Sequence, residues 1–216
     1  MATARLCRMM KMPHKPRTTD TPEEKLSPSD SRIEKRLRNK ALHYLGRYSS
    51  TSYRLKQVLI RFAARKLETV SQDRLMPAIS KIIEDCQRLG YVDDRQFALS
   101  KIRTGRTQGQ SRATLLQKLL QSGLDSNLIS ELLTPSSDGR LNHDPHTAEL
   151  LACLISARRK RIGPFSRTLP LTPEEKKKHL GKLARAGFSH THAHQVIALQ
   201  NQQEAEELLS ETRTEI

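Results

Sequence analysis

The groups with the most chemical potential in this chain are cations, and they come in runs. Arg54, Lys56, Arg61, Arg65 and Lys66 form a stretch without an acid. Arg103, Arg106 and Arg112 surround Gly105 and Gly109, and Arg158, Arg159, Lys160 and Arg161 are contiguous. Lys176, Lys177, Lys178, Lys182 and Arg185 follow. Side chains of these types bind phosphates and carboxylates; spaced like this they do not make or break bonds. Over the whole chain 38 Lys and Arg face 23 Asp and Glu, a formal charge of +15. That balance indicates a polyanionic partner: nucleic acid, an acidic protein, or both. Arg54, Lys56, Arg61, Arg103, Arg106, Arg112 and the run Arg158, Arg159, Lys160, Arg161 are therefore the expected contact residues. Aromatic residues make up only 4% and Trp is absent. This argues against a base-stacking single-strand module and for phosphate or protein contact.

Other reactive types read as structure. His190, His192 and His194 invite a metal, but only the i, i+4 pair His190 and His194 shares a helix face, and no acid or thiol stands near. Asp93 and Asp94 read as a helix start rather than a catalytic carboxylate pair. Phosphate-loop, HExxH, CxxC and nucleophile-elbow motifs are absent; Gly181-Lys182 is followed by Leu183. No catalytic residue, cofactor or metal is assigned, and the expectation is a protein that is not an enzyme. Cys7, Cys86 and Cys153 are scattered and odd in number, which fits a reducing compartment. No apolar run approaches the roughly 20 residues of a membrane span. The expected setting is cytoplasmic, away from membranes.

What positions the cations is a duplicated helical unit. Shifted by 64 positions, Leu116 falls on Leu180, Leu119 on Leu183, Gly123 on Gly187, Leu124 on Phe188, Leu132 on Val196 and Leu133 on Ile197. Only apolar and glycine positions agree, the mark of a repeated packing unit. Gly123 and Gly187 each read as a left-handed helix stop, with Asp125 and Ser189 capping the next helix. Leu116, Leu119 and Leu120 are expected to face inward on the first helix, and Leu128, Ile129, Leu132 and Leu133 on the second. Thr172-Pro173-Glu174-Glu175 is a capping box with proline at its first helical position. A third glycine stop, Gly90, precedes Asp93, with Gln96 at N3 and a Val92–Phe97 staple.

The expected fold is all-α. Helices are placed at 31–47 (Ala41, Leu42 and Leu45 inward), 52–65 (Leu55, Val58, Leu59, Phe62), 75–89, 94–102, 111–122, 126–133, 145–161 (Leu150, Leu151, Leu154, Ile155), 173–186 and 190–200. Gly105 and Gly109 are expected to loosen the chain after 102, and 68–74 reads as a linker. Nine helices group into three three-helix repeats at 31–92, 93–142 and 143–201. They lie between a disordered basic tail at 1–30 and an acidic end at 202–216.

The segment Leu89-Gly90-Tyr91-Val92-Asp93-Asp94-Arg95-Gln96-Phe97-Ala98 carries a further signal. It is joined by Ala41-Leu42-x-x-Leu45 with Arg47, Ser49, Ser50 and Leu55, by Arg103, Gly109, Ser111 and Arg112, and by Gly187-Phe188-Ser189. Over roughly 39–198 the chain resembles the RecX regulatory proteins of bacteria. Gly90, Tyr91, Asp93, Asp94, Phe97, Gly109, Gly123, Gly187 and Phe188 are its repeat signature. The long basic tail, the spread of Gly105 and Gly109 and the 68–74 linker depart from that pattern. The resemblance implies three tandem repeats in an elongated, curved array. It implies a monomeric, non-enzymatic modulator of the RecA recombinase in DNA repair. Such a protein lies in the groove of the RecA filament, contacts single- and double-stranded DNA weakly, and limits filament growth, ATP hydrolysis and strand exchange. The alternative is a helix-turn-helix regulator of duplex DNA, with Asn127 or His190 to His194 at the head of a recognition helix. An RNA- or ribosome-associated basic protein fits the charge alone.

Overall fold

A computed structural model describes residues 28–134 and 144–214 of the chain. Ten α-helices occur in order: α1 Pro28–Leu45, α2 Ser52–Lys66, α3 Gln72–Arg88, α4 Asp94–Thr107, α5 Arg112–Gln121, α6 Ser126–Leu133, α7 Pro145–Lys160, α8 Pro173–Arg185, α9 His190–Ala198 and α10 Gln202–Thr214. A short 3-10 turn, Gly163–Phe165, follows α7. No strand occurs among the described residues. The expected basic tail up to residue 27 and most of the 134–142 loop lie outside them.

Buried apolar residues gather into three clusters. Helices α1 to α3 share Leu37, Ala41, Leu55, Leu59, Ile79, Ile82 and Cys86. Helices α4 to α6 share Phe97, Ala98, Ile102, Leu115, Leu119, Ile129 and Leu132. Helices α7 to α10 share Leu154, Ala157, Ile162, Leu183, Phe188, Val196 and Ala205. Each burial of a Leu or Ile contributes about 1.5–3 kcal/mol, so these clusters, not helix propensity, hold the short helices. The acidic stretch after 201 forms α10, docked through Ala205 onto the third cluster.

The glycine stops have the geometry that the sequence suggests. Gly123 N–H donates to the Leu120 carbonyl (2.9 Å) and Leu124 N–H to that of Leu119 (3.4 Å). Gly187 and Phe188 repeat this with Ala184 and Leu183 (2.9 and 3.2 Å). Both glycines are left-handed, at φ 76° and 85°. Gly90 (φ 74°) closes α3 and Gly109 (φ 70°) closes α4 in the same way. The caps follow: Asp93 accepts Gln96 N–H (2.8 Å), and Asp125 those of Asn127 and Leu128 (2.9 and 3.2 Å).

Several expectations need correction. Gly105 does not loosen the chain; α4 runs on to Thr107, and Gly105 is buried there, under Leu115 of α5. The inward face of α5 is Leu115 and Leu119, while Leu116 and Leu120 are exposed. Four leucines make two adjacent stripes, and the fit of Leu115 over Gly105 decides between them. On α1 the buried face is Ile33, Leu37 and Ala41, with Leu42 in solvent. On α7 Leu154 is buried as expected, but beside it lie Ala152, Cys153, Ser156 and Ala157, while Leu151 and Ile155 are only half-buried; Gly109 sits directly on the α7 backbone at Ala152 and Ser156, where only small side chains fit. The 68–74 stretch is shorter than read, since α3 starts at Gln72.

Two outcomes follow. A Cβ on Gly90 would meet nothing within 4 Å, whereas one on Gly187 would stand 2.6 Å from Ser111 Oγ. Gly90→Ala therefore costs only the left-handed strain, about 1 kcal/mol. Gly187→Ala costs measurably more, read as a larger drop in urea midpoint.

His179 is buried, and its Nδ1 accepts the Gly163 N–H (3.2 Å). Burial first, and then Lys182, pushes its pKa below the ordinary histidine value. A protonated ring would turn a donor toward that N–H. The contribution is thus complete above the unfolded value, about 6.5, and is lost as pH falls from there through the lowered folded value. His179→Gln should flatten the fall of the urea midpoint on acidification. Part of the slope should remain, from His192, which is shifted the same way by burial and by His146.

Candidate polyanion-binding surface

One joint is built twice along this chain, and it decides which cations are free. Thr51 is the N-cap of α2 and its hydroxyl does two jobs. It accepts Arg54 N–H (3.2 Å) and donates to the carbonyl of Ser122, the C-cap of α5 (2.6 Å). Ser111 is the N-cap of α5. It accepts Thr114 N–H (3.2 Å) and donates to Ala186, the C-cap of α8 (2.7 Å). In both places the positive N-terminal end of one helix meets the negative C-terminal end of another. Directly after the acceptor stands a glycine, Gly123 or Gly187, whose missing Cβ leaves room for Tyr53 or for Ser111 and Ala113.

A carboxylate completes each joint at the next amide. Asp94 accepts Ser52 N–H (2.8 Å) and the Ser52 hydroxyl (2.5 Å). Glu149 of α7 accepts Arg112 N–H with both oxygens (3.0 and 3.1 Å). The helix at the corresponding place in the third group, α8, starts differently. Its N-cap hydroxyl, on Thr172, donates to its own Glu175 (3.0 Å), and its first residue is Pro173, which has no N–H. At the other end, α2 stops at Leu67 with φ −135° and no glycine.

This geometry divides the expected contact residues. Arg106 is committed, its guanidinium paired with Glu149 Oε2 at 2.5 Å, the two side chains 22% and 12% exposed. Arg112 is committed as well, donating to the Leu133 carbonyl at the end of α6 (2.7 Å). Arg159 reaches the Gln108 carbonyl (2.6 Å), which brings the basic end of α7 against the end of α4. Arg103, Arg158, Lys160 and Arg161 are exposed around that α4–α7 contact, with no ion pair among the described residues. Arg161 holds a left-handed backbone (φ 54°), closing α7 as the glycines close other helices. Arg54, Lys56 and Arg61 lie apart, on α2, also without ion pairs among the described residues. The structure thus joins the second and third basic runs and leaves the first separate. Sequence spacing could not reveal that Arg106 holds the joint or that the Arg112 guanidinium is turned to the end of α6, because their partners lie 21 to 43 residues away.

The remaining reactive groups are internal. Burial first, then Glu149, pushes the Cys153 thiol up to about 12, and burial likewise raises Cys86. His190 stacks on His194 (4.1 Å) and His192 on His146 (4.5 Å). Among the described residues no group of three or more His, Cys, Asp or Glu converges as a metal site. No described helix is long and apolar enough to cross a membrane.

Known proteins share both sequence and fold with this chain. It is 34% identical over 164 residues to the regulatory protein RecX of Myxococcus xanthus strain DK1622, covering 74% of this chain and 83% of that one. It is 28% identical over 174 residues to the regulatory protein RecX of Agrobacterium fabrum strain C58, covering 81% and 88%. The crystal structure of RecX from Lactobacillus salivarius matches the fold with a TM-score of 0.58 at 21% identity, over 82% of this chain and 99% of that one. No protein-family model matches the chain.

Glu149→Ala removes one side of the Arg106 pair and the acceptor of Arg112 N–H together. Leaving a mostly buried cation alone should cost roughly 3 kcal/mol. The free cation Arg103, changed to Glu, should shift stability by no more than about 0.5 kcal/mol. Chemical denaturation of the two variants checks both values.

Proposed function

The chain belongs to the RecX family of regulatory proteins, and from that premise we propose that it binds the RecA recombinase filament and restrains it without catalysing a reaction. The observation that carries this reading is the extended match to relatives called regulatory proteins. The joint adds a mechanism. Three helix groups, read as tandem repeats and locked end to end, make a stiff body. Such a body can span neighbouring filament protomers and oppose the relative motions that ATP turnover and growth require. The unpaired cations Arg103, Arg158, Lys160 and Arg161 meet acidic protein surface or filament DNA phosphates. Arg54, Lys56 and Arg61 offer a second contact. Phosphate contact of this kind is weak, insensitive to sequence and steeply dependent on salt. The protein works as a cytoplasmic monomer with no cofactor.

Titrating the protein into a RecA ATPase assay on single-stranded DNA tests the reading. Suppression is expected at substoichiometric to equimolar levels. Arg103→Glu combined with Arg158→Glu and Lys160→Glu, in a chain shown to melt like the original, should lose it. Unchanged suppression removes these side chains from the mechanism. No suppression by the unaltered protein overturns the function.

A further inference from the structure

The chain has four tyrosines and no tryptophan, and all four fall in one part of the fold. Tyr44 and Tyr48 lie at the end of α1 and just beyond it, their rings 5.4 Å apart. Tyr53 sits in the first turn of α2, against Gly123. Tyr91 follows the glycine stop of α3. The two bonds from Ser52 to Asp94 fasten the turn bearing Tyr53 to the turn that begins at Tyr91. Tyr48, Tyr53 and Tyr91 are 58%, 48% and 57% exposed, large flat rings left in water beside a tight joint.

Tyr91 is the least expected of them. The residues that follow it in the motif are used: Val92 and Phe97 in cores, Asp93 as a cap, Asp94 on Ser52. Its own ring belongs to no core cluster. Arg47 and Arg54, next in sequence to Tyr48 and Tyr53, make no ion pair among the described residues. The acids of these turns, Asp93 and Asp94, spend their hydrogen bonds on the Gln96 and Ser52 amides and the Ser52 hydroxyl and pair with neither arginine. An aromatic content of 4% spread evenly offers no stacking platform. Concentrated here and bordered by guanidinium groups, it does.

We propose that Tyr48, Tyr53 and Tyr91, with Arg47 and Arg54, form a contact for single-stranded nucleic acid. Unpaired bases stack on the rings while the two arginines meet the adjoining phosphates. Duplex DNA, whose base faces are hidden, does not use the rings. Tyrosine and arginine also anchor protein interfaces, and the experiment separates that use. The proposal rests on the reading that this chain works against polyanions, and adds a mode and a place of contact.

The full-length protein is titrated with a fluorophore-labelled oligodeoxythymidylate at low salt, followed by anisotropy, and with the unlabelled oligomer, followed by intrinsic fluorescence. Without tryptophan that emission comes from tyrosine alone. Stacking should quench it in step with the anisotropy change. Tyr91→Ala and Tyr48→Ala should each weaken binding roughly five-fold or more, Tyr91→Phe should bind like the original, and circular dichroism melts should coincide. Tyr53 is left intact because its ring seats Gly123. Binding without quenching, or alanine variants that bind normally, removes the patch and leaves the polyanion reading standing. Absence of any binding to the oligomer overturns the patch and the nucleic-acid part of that reading together. Variants that bind normally but no longer suppress recombinase ATPase mark the patch as a protein-docking surface and overturn the proposal.

Discussion

A hydroxyl that works in two directions holds this fold together lengthwise. At Thr51 and at Ser111 one oxygen accepts from its own helix and donates to the end of another. A serine or threonine hydroxyl does both through one atom; aspartate caps equally well, but when ionised it has no proton to give the neighbouring carbonyl, and asparagine would have to donate from its amide nitrogen, a separate atom. The requirement then spreads. The acceptor carbonyl is a C-cap, so the next residue must turn left-handed, and it must lack a side chain because the partner helix arrives there. Gly123 and Gly187 meet both conditions at once. The spare amide behind each hydroxyl needs an anion, and Asp94 and Glu149 supply it from the next group of helices. Three apolar clusters provide most of the stabilisation, but their relative placement depends on these few polar atoms.

Much of this was written locally enough to be read from the sequence. Glycine stops, caps and the Thr172 capping box depend on residues within a few positions of one another, and they lie where spacing puts them. The all-helical character follows from the same signals. Contacts across long separations were not legible. Which leucine stripe of α5 turns inward is settled by Gly105 on another helix, and the small face of α7 by Gly109. The candidate surface divides in the same way. Runs of arginine show that charge is present, but not that Arg106 is drawn into the joint by Glu149 or that the Arg112 guanidinium is turned to the Leu133 carbonyl. The tyrosines follow the same rule: composition counts rings and does not say where they meet.

The division of the cations has a physical logic. An arginine inside the joint works in a partly desolvated place, where its pairing is strong and its loss leaves a stranded charge. An arginine outside remains hydrated and contributes little to folding, as do the exposed pairs Arg38–Asp85 and Lys81–Glu34 between α1 and α3. Stability and recognition therefore draw on the same residue type at neighbouring positions. A substitution among them reports on one or the other according to whether a carboxylate or carbonyl stands opposite.

A contact that joins unlike surfaces in sequence has no natural end. Head-to-tail interfaces of this kind close into rings or grow into fibres, and a chain carrying one open half at each extremity would string itself onto its copies. Here both halves are blunted. Thr172 spends its proton on Glu175, Pro173 has no amide to offer, and α2 finishes at Leu67 where a glycine would have to stand. The same chemistry that threads the three groups together is thus switched off at α8 and at the end of α2, so neither place offers the matching half of a further link.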